Sequence, residues 1–210
     1  QLKKQNIPVV LIGKNDELAG ENLVYTDFKA AAAEATRHMI EIGYTKIGFI
    51  CGTRPKIENL DKLEGFRKTL DEVGLCLRAE HMIEEENSIE GGYLASSKLL
   101  NLKDRPEAIF ITSDIMAIGA MEKIKQSGFS IPQDIAVMGF DNLKISGYLE
   151  PKLTTVAKPV YRMGLVAARL LFDLMEDDDQ DDHEPQEILI QSKLKVRKSC
   201  GHKDRVKEIF

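Results

Sequence analysis

Four short apolar runs set the strongest limit on what this chain can fold into: Val9-Val10-Leu11-Ile12, Ile47-Gly48-Phe49-Ile50, Ile109-Phe110-Ile111 and Ile135-Ala136-Val137-Met138. None alternates with polar residues, so none is patterned for one wet face. Runs of this kind fit strands buried on both sides, in a parallel sheet covered by helices. Met82-Ile83 is a weaker run of the same kind, and Leu23–Tyr25 a short one. Between the runs the apolar period lengthens to that of a helix. Ala31, Ala35, Met39 and Ile42 form one stripe, ended by Gly43. Leu60, Leu63, Phe66, Leu70 and Val73 form the next, with Asn59 as N-cap and Gly74 as the stop. Ser88 opens a third helix running to about Asn101. Asp114 caps a fourth, with Ile118, Met121 and Ile124 inside and Gly128 terminating it. The alternation predicts a parallel α/β lobe over residues 45–140.

The last third reads differently. Leu153-Thr154-Thr155-Val156 precedes a helix with Pro159 at its first position and a stripe of Val160, Met163, Ala167, Leu170 and Leu174. The acidic run from Glu176 to Glu184 reads as a solvated linker. Short strands at Glu187–Ile190 and Leu194–Val196 lead into a basic, frayed tail. Before residue 45 the sequence offers one firm strand, the short Leu23–Tyr25 segment and one helix, too little to bury a lobe. The chain is therefore expected to begin in mid-domain, after a helix ending in Gln1–Asn6, with the central strands of its first lobe upstream.

With 210 residues, 43% of them apolar, the chain can build two lobes with real cores. A net charge of −5 does not suit a chain built to neutralise phosphates, which argues against non-specific nucleic-acid binding. No apolar run reaches bilayer length and no signal-peptide pattern opens the chain, so no membrane partner is expected. Cys51, Cys76 and Cys200 are odd in number and far apart; they read as reduced thiols, favouring a cytoplasmic setting.

In parallel α/β sheets, ligands bind beyond the carboxyl ends of the strands. Gly52-Thr53, Ser113-Asp114 and Gly139-Phe140-Asp141 occupy those ends, and Thr26-Asp27 the equivalent place before the first full helix. Asp114 is read as a helix cap, whereas Asp27 and Asp141 are carried as ligand candidates. His38, His81, His183 and His202 are scattered without metal-ligand spacing. There is no Gly-x-Gly-x-x-Gly after a strand, no Walker loop and no nucleophile elbow. These patterns predict no metal, no cofactor and no enzyme.

The segment Gly139-Phe140-Asp141-Asn142, followed by Tyr148-Leu-Glu-Pro-Lys-Leu-Thr-Thr-Val156, resembles the signature of LacI/GalR-type regulators. In the same order stand Ile7-Pro8-Val9-Val10-Leu11-Ile12, Val24-Tyr25-Thr26-Asp27 and Gly43-Tyr44-Thr45-Lys46-Ile47-Gly48-Phe49-Ile50. Gly65-Phe66, Arg105-Pro106-Glu107-Ala108-Ile109-Phe110 and Asp114-Ile115-Met116-Ala117-Ile118-Gly119-Ala120 continue the series, so the likeness covers the chain to about residue 176.

The resemblance implies a two-lobed fold like that of type I periplasmic sugar-binding proteins: parallel sheets flanked by helices, joined by three crossovers near 43–45, 156–158 and 184–187. Residues 1–44 and 158–184 would form an incomplete N-terminal lobe, residues 45–157 and 185–200 the C-terminal lobe, and 201–210 a tail. It also implies an effector in the cleft between lobes, a homodimer, and operator DNA contacted only through a helix-turn-helix headpiece upstream of Gln1. The alternative use of the same fold is a solute-binding protein of an import system.

Residue by residue, Asp141 matches the acidic group that usually accepts hydrogen bonds from the effector, Asp27 the aspartate of the first lobe, and Ser113 a small polar cleft position. Lys62 replaces an arginine that many members aim at the effector, keeping the charge but losing the fork. That exchange also resembles the catabolite-control branch, in which a phosphorylated protein partner sets activity. Asn87 stands where sugar-responsive members place an aromatic ring. Lys56 and Lys158 align with cleft-facing positions. Together with Lys62 they suggest a basic pocket for an anionic effector, such as a sugar phosphate or sugar acid.

Overall fold

The unalternating runs of the middle of the chain become strands that are buried on both faces. A computed structural model describes residues 7–13, 20–53, 57–176 and 184–201. Gln1–Asn6, Lys56, most of the acidic run and the tail beyond Gly201 lie outside the described residues. By compactness the chain divides into two units, residues 1–27 with 158–192 and residues 28–157 with 193–210.

The larger unit is built on a six-stranded sheet. Its strands are β3 (Ile47–Gly52), β4 (Met82–Glu85), β5 (Ala108–Ile111), β6 (Ala136–Asp141), β7 (Thr154–Ala157) and β9 (Lys193–Lys195). The order is β4-β3-β5-β6-β7-β9, parallel throughout except for the antiparallel pair β7 and β9. Helices α1 (Phe28–Ile42) and α2 (Ile57–Asp71) cover one face, and α3 (Ile89–Leu100) and α4 (Asp114–Gln126) the other. The pleat explains the continuous apolar runs. Phe49, Phe110, Met138 and Phe140 point into one core, while Ile50, Ile109, Ile111 and Val137 point into the other. On the first face the rings of Phe49 and Phe110 lie stacked 5.6 Å apart, with Phe66 tilted against both at 4.9 and 5.7 Å.

The smaller unit has a three-stranded parallel sheet, ordered β1 (Val10–Ile12), β2 (Asn22–Tyr25), β8 (Glu187–Leu189), with helix α5 (Val160–Glu176) against it. Its core is Val24, Met163, Ala167 and Ile190, tied at one end by the Thr26 hydroxyl donating to the Ile190 carbonyl at 3.0 Å. β1 departs from the expectation of a doubly buried strand: it lies at the sheet edge, and Ile12 is exposed.

Three readings of the sequence need correction. First, α1 belongs to the larger unit, so the chain passes between units at 27/28 and not near 43–45. Its stripe of Ala31, Ala35, Met39 and Ile42 packs into the same core as Phe66 and Phe140. Second, the last passage falls at 192/193 and not at 184–187, because β8 pairs with β2. Third, α2 begins at Ile57, placing Asn59 within the helix, and the stripe is shorter than expected: Leu60 and Val73 are exposed.

Candidate functional site

Parallel strands that end together leave a rim of backbone turns at their carboxyl ends, and polar side chains on those turns face a common space. In the larger unit that rim encloses a cavity of about 440 Å³. Gly52 and Thr53 follow β3, Thr112 and Ser113 follow β5, and Asp141 ends β6. Glu86 and Asn87 come from the turn between β4 and α3, and Glu58, Asn59 and Lys62 from the first turns of α2. The residues named from the sequence thus divide. Lys62, Asn87, Ser113 and Asp141 line this cavity; Asp27, exposed, and Lys158, half-buried, belong to the other unit; Lys56 lies outside the described residues.

Lys62 is only 4% exposed, which is rare for a lysine. Its Nζ donates to the Thr112 carbonyl at 3.1 Å and lies 4.2 Å from the Phe140 ring centroid and 5.2 Å from that of Phe28. The ammonium is therefore stabilised from within the protein, by a carbonyl and two ring faces. Ser113 caps α4, its hydroxyl accepting from the Ile115 N–H at 3.3 Å. Asp114, expected to be that cap, is corrected. It is the first residue of the helix, fully buried, and its carboxylate turns away to accept from the Leu143 N–H at 2.8 Å, the Ser146 hydroxyl at 2.5 Å and the Thr155 hydroxyl at 2.6 Å.

Asp141 and Asn142 both adopt positive φ, 117° and 56°, without being glycine. Such conformations are held only where the surroundings over-determine them, and they cluster at ligand sites. The Asn142 side chain accepts from Arg197 at 2.7 Å, and the same guanidinium donates to the Leu153 carbonyl at 2.6 Å.

Burial pushes the Cys51 thiol up to about 11, with Glu84 adding to the rise and Lys62 opposing it. Burial also raises Cys200, against a hydrogen bond with Thr154. Among the described residues no group of three or more His, Cys, Asp or Glu side chains could hold a metal. No helix among them is long and apolar enough to cross a membrane.

Glu58, Asn59, Glu86 and Thr112 line the cavity but were not among the ligand candidates named from the sequence. Glu58 and Asn59 precede Lys62 by four and three positions and so share its helix face, a signal obscured by placing the helix start at Asn59. Thr112 directly precedes Ser113 at the end of β5.

A covered parallel sheet with a polar cavity at its carboxyl edge defines an α/β ligand-binding domain. Residues 36–200 match the family described as periplasmic binding protein-like domain. Catabolite control protein A of Priestia megaterium is 34% identical over 182 residues, which is 86% of this chain and 55% of that protein. The chain thus spans little more than half the length of this relative. A regulatory protein of the LacI family from Chloroflexus aggregans superimposes with a TM-score of 0.86 at 30% identity, covering 96% of this chain and 71% of that one. A LacI family transcriptional regulator from Enterococcus faecium with bound ribose gives a TM-score of 0.84 at 27% identity, covering 95% and 73%. The chain belongs to the periplasmic binding protein-like family, in the form carried by LacI-family transcriptional regulators.

Proposed function

We propose that this chain is the effector-sensing part of a LacI-type transcriptional regulator, and that the cavity of its larger unit binds a small polyhydroxylated molecule, a sugar or sugar derivative, without transforming it. The observation that carries this reading is Asp141, a carboxylate at the end of a central strand, at positive φ, lining a polar cavity. Ligand hydroxyls can donate to Asp141, Glu58 and Glu86, and can accept from the amides of Asn59 and Asn87 and the hydroxyl of Thr53. The ribose bound by the Enterococcus faecium regulator supports a ligand of this size and chemistry.

The same lining favours a neutral ligand over the anion suggested by three lysines. Three carboxylates face the cavity with Lys62, whose ammonium already has a carbonyl and two rings around it. Lys158 is in the other unit. Asp27, Lys56 and Lys158 are carried as effector contacts on the family resemblance alone. In this reading the protein works as a cytoplasmic homodimer and meets operator DNA through a helix-turn-helix headpiece outside residues 1–210. Effector and DNA sites would be coupled by about 1–3 kcal/mol.

Calorimetric titration with neutral sugars, D-ribose among them, and with their phosphate esters tests the proposal. A neutral sugar should bind, and Asp141→Ala should weaken it by at least about tenfold, the loss of one charge-assisted hydrogen bond, while leaving thermal unfolding cooperative. An Asp141→Ala chain that titrates like wild type would sink the assignment of the site. Tight binding of a phosphate ester alone would sink the neutral ligand.

A further inference from the structure

We infer that Asp114 is a positioning residue, whose buried carboxylate holds the Asp141–Leu143 turn and thereby sets where the Asp141 carboxylate sits in the cavity. The inference rests on the proposed ligand site for its functional meaning and on hydrogen-bond geometry for its content. Ser113 already caps α4, so Asp114 is not needed there. Its Oδ2 instead accepts from the Leu143 N–H and the Ser146 hydroxyl, and its Oδ1 from the Thr155 hydroxyl. The Thr155 oxygen in turn accepts from the Asn142 N–H at 3.3 Å. Both amides that follow Asp141 are therefore held, one directly and one through Thr155, by a single carboxylate.

The order of protons shows why the arrangement needs an acceptor at position 114. A backbone N–H can only donate, so the Asn142 and Leu143 amides each need an acceptor. The Thr155 hydroxyl can accept from Asn142 because its own proton is committed to Asp114. An asparagine here has one oxygen and one NH2. If the oxygen faces Leu143, the NH2 faces Thr155, whose proton turns aside while its two lone pairs accept from the NH2 and from the Asn142 N–H. If the amide is flipped, the NH2 confronts the Leu143 N–H. Asparagine in the first orientation thus keeps the bonds and loses only their charge, whereas alanine removes them. The carboxylate lies where a side chain at Gly139 would stand, since a Cβ there would be 2.3 Å from Oδ1, so only glycine leaves room for it on β6. The turn has two consecutive residues at positive φ, so it depends on these bonds to keep its shape.

Amide hydrogen exchange by NMR on the full chain, without ligand, tests the inference. In Asp114→Ala the Leu143 amide, left without its acceptor, should exchange at least about tenfold faster, with β3 and β5 amides unchanged. Thr155→Val should release the Asn142 amide alone, and Thr155→Ser should restore it. Wild-type exchange at the Leu143 amide in folded Asp114→Ala would overturn the inference. If that chain does not fold, wild-type exchange at Asn142 in Thr155→Val does so. Because no ligand enters these measurements, their failure is separate from that of the sugar titrations, which bears on the effector reading alone.

Discussion

Asp114 carries a second consequence, for pH. Burial raises its pKa above the ordinary 3.8, against the lowering influence of Ser146, Thr155, Leu143 and the nearby Arg197 charge. An acid whose folded pKa is raised holds its proton longer in the native state than in the unfolded one. Its contribution to stability is complete below 3.8 and is lost as pH rises through the folded value. Asp114→Asn has no such proton. Urea unfolding of both chains between about pH 4 and pH 7 should show the wild type losing stability relative to the variant with rising pH, levelling off above the native pKa. A difference independent of pH would show that Asp114 does not titrate differently in the two states. At this scale the sequence was legible where the strand ends make a residue conspicuous, as at Ser113 and Asp141. It misled at Asp114, because a serine and an aspartate side by side at a helix start carry the same capping signature. Which of them caps is decided by partners about 30 and 40 residues further on, Leu143, Ser146 and Thr155.

Between elements the tightest fit is that of α3 on α4. A Cβ on Gly92 would meet the Met116 carbonyl oxygen at 1.9 Å, and one on Gly119 the Ile89 carbonyl oxygen at 1.8 Å. Those neighbours are helix backbone and cannot swing aside. Gly119→Ala should therefore destabilise by about 1–3 kcal/mol through overpacking, although alanine is the better helix former by about 1 kcal/mol. A lowered urea midpoint checks this; a raised one would mean that the helices separate at little cost. Strands β3, β5 and β6 were readable because burial on both faces removes polar residues from the pattern. Helix α1 was readable as a helix, but not as a member of the larger unit. An apolar stripe of Ala31, Ala35, Met39 and Ile42 states that a face is buried and not which sheet buries it. The same limit explains α2, where Leu60 and Val73 continue the period beyond the part that has a partner.

For the molecule as a whole, the two units differ in how completely their sheets are covered. Among the described residues the larger has helices on both faces and two buried clusters; the smaller has three strands, one helix and a core of four buried residues. Sheets of so few strands hold little stability of their own. Native-state exchange should accordingly find the amides of β2 opening at lower denaturant than those of β5, and a shared opening for both would show one cooperative body. Two of the three passages between units were not legible, those at 27/28 and 192/193, since each is a few extended residues with no composition of its own.

The last of these passages bears on how the chain is made. β9 comes from residues beyond the smaller unit, yet it completes the edge of the larger sheet beside β7. The Ser199 hydroxyl then bridges inward, donating to the Val137 carbonyl at 2.6 Å and accepting from the Thr154 N–H at 2.8 Å. During synthesis, β3 to β7 leave the ribosome well before the strand that closes them. Until then β7 carries an open edge, able to pair with a stranger. A transcript cut short between β7 and β9 would yield a sticky fragment in place of a smaller domain. Dividing the gene at 157/158 would separate the larger sheet from its own border.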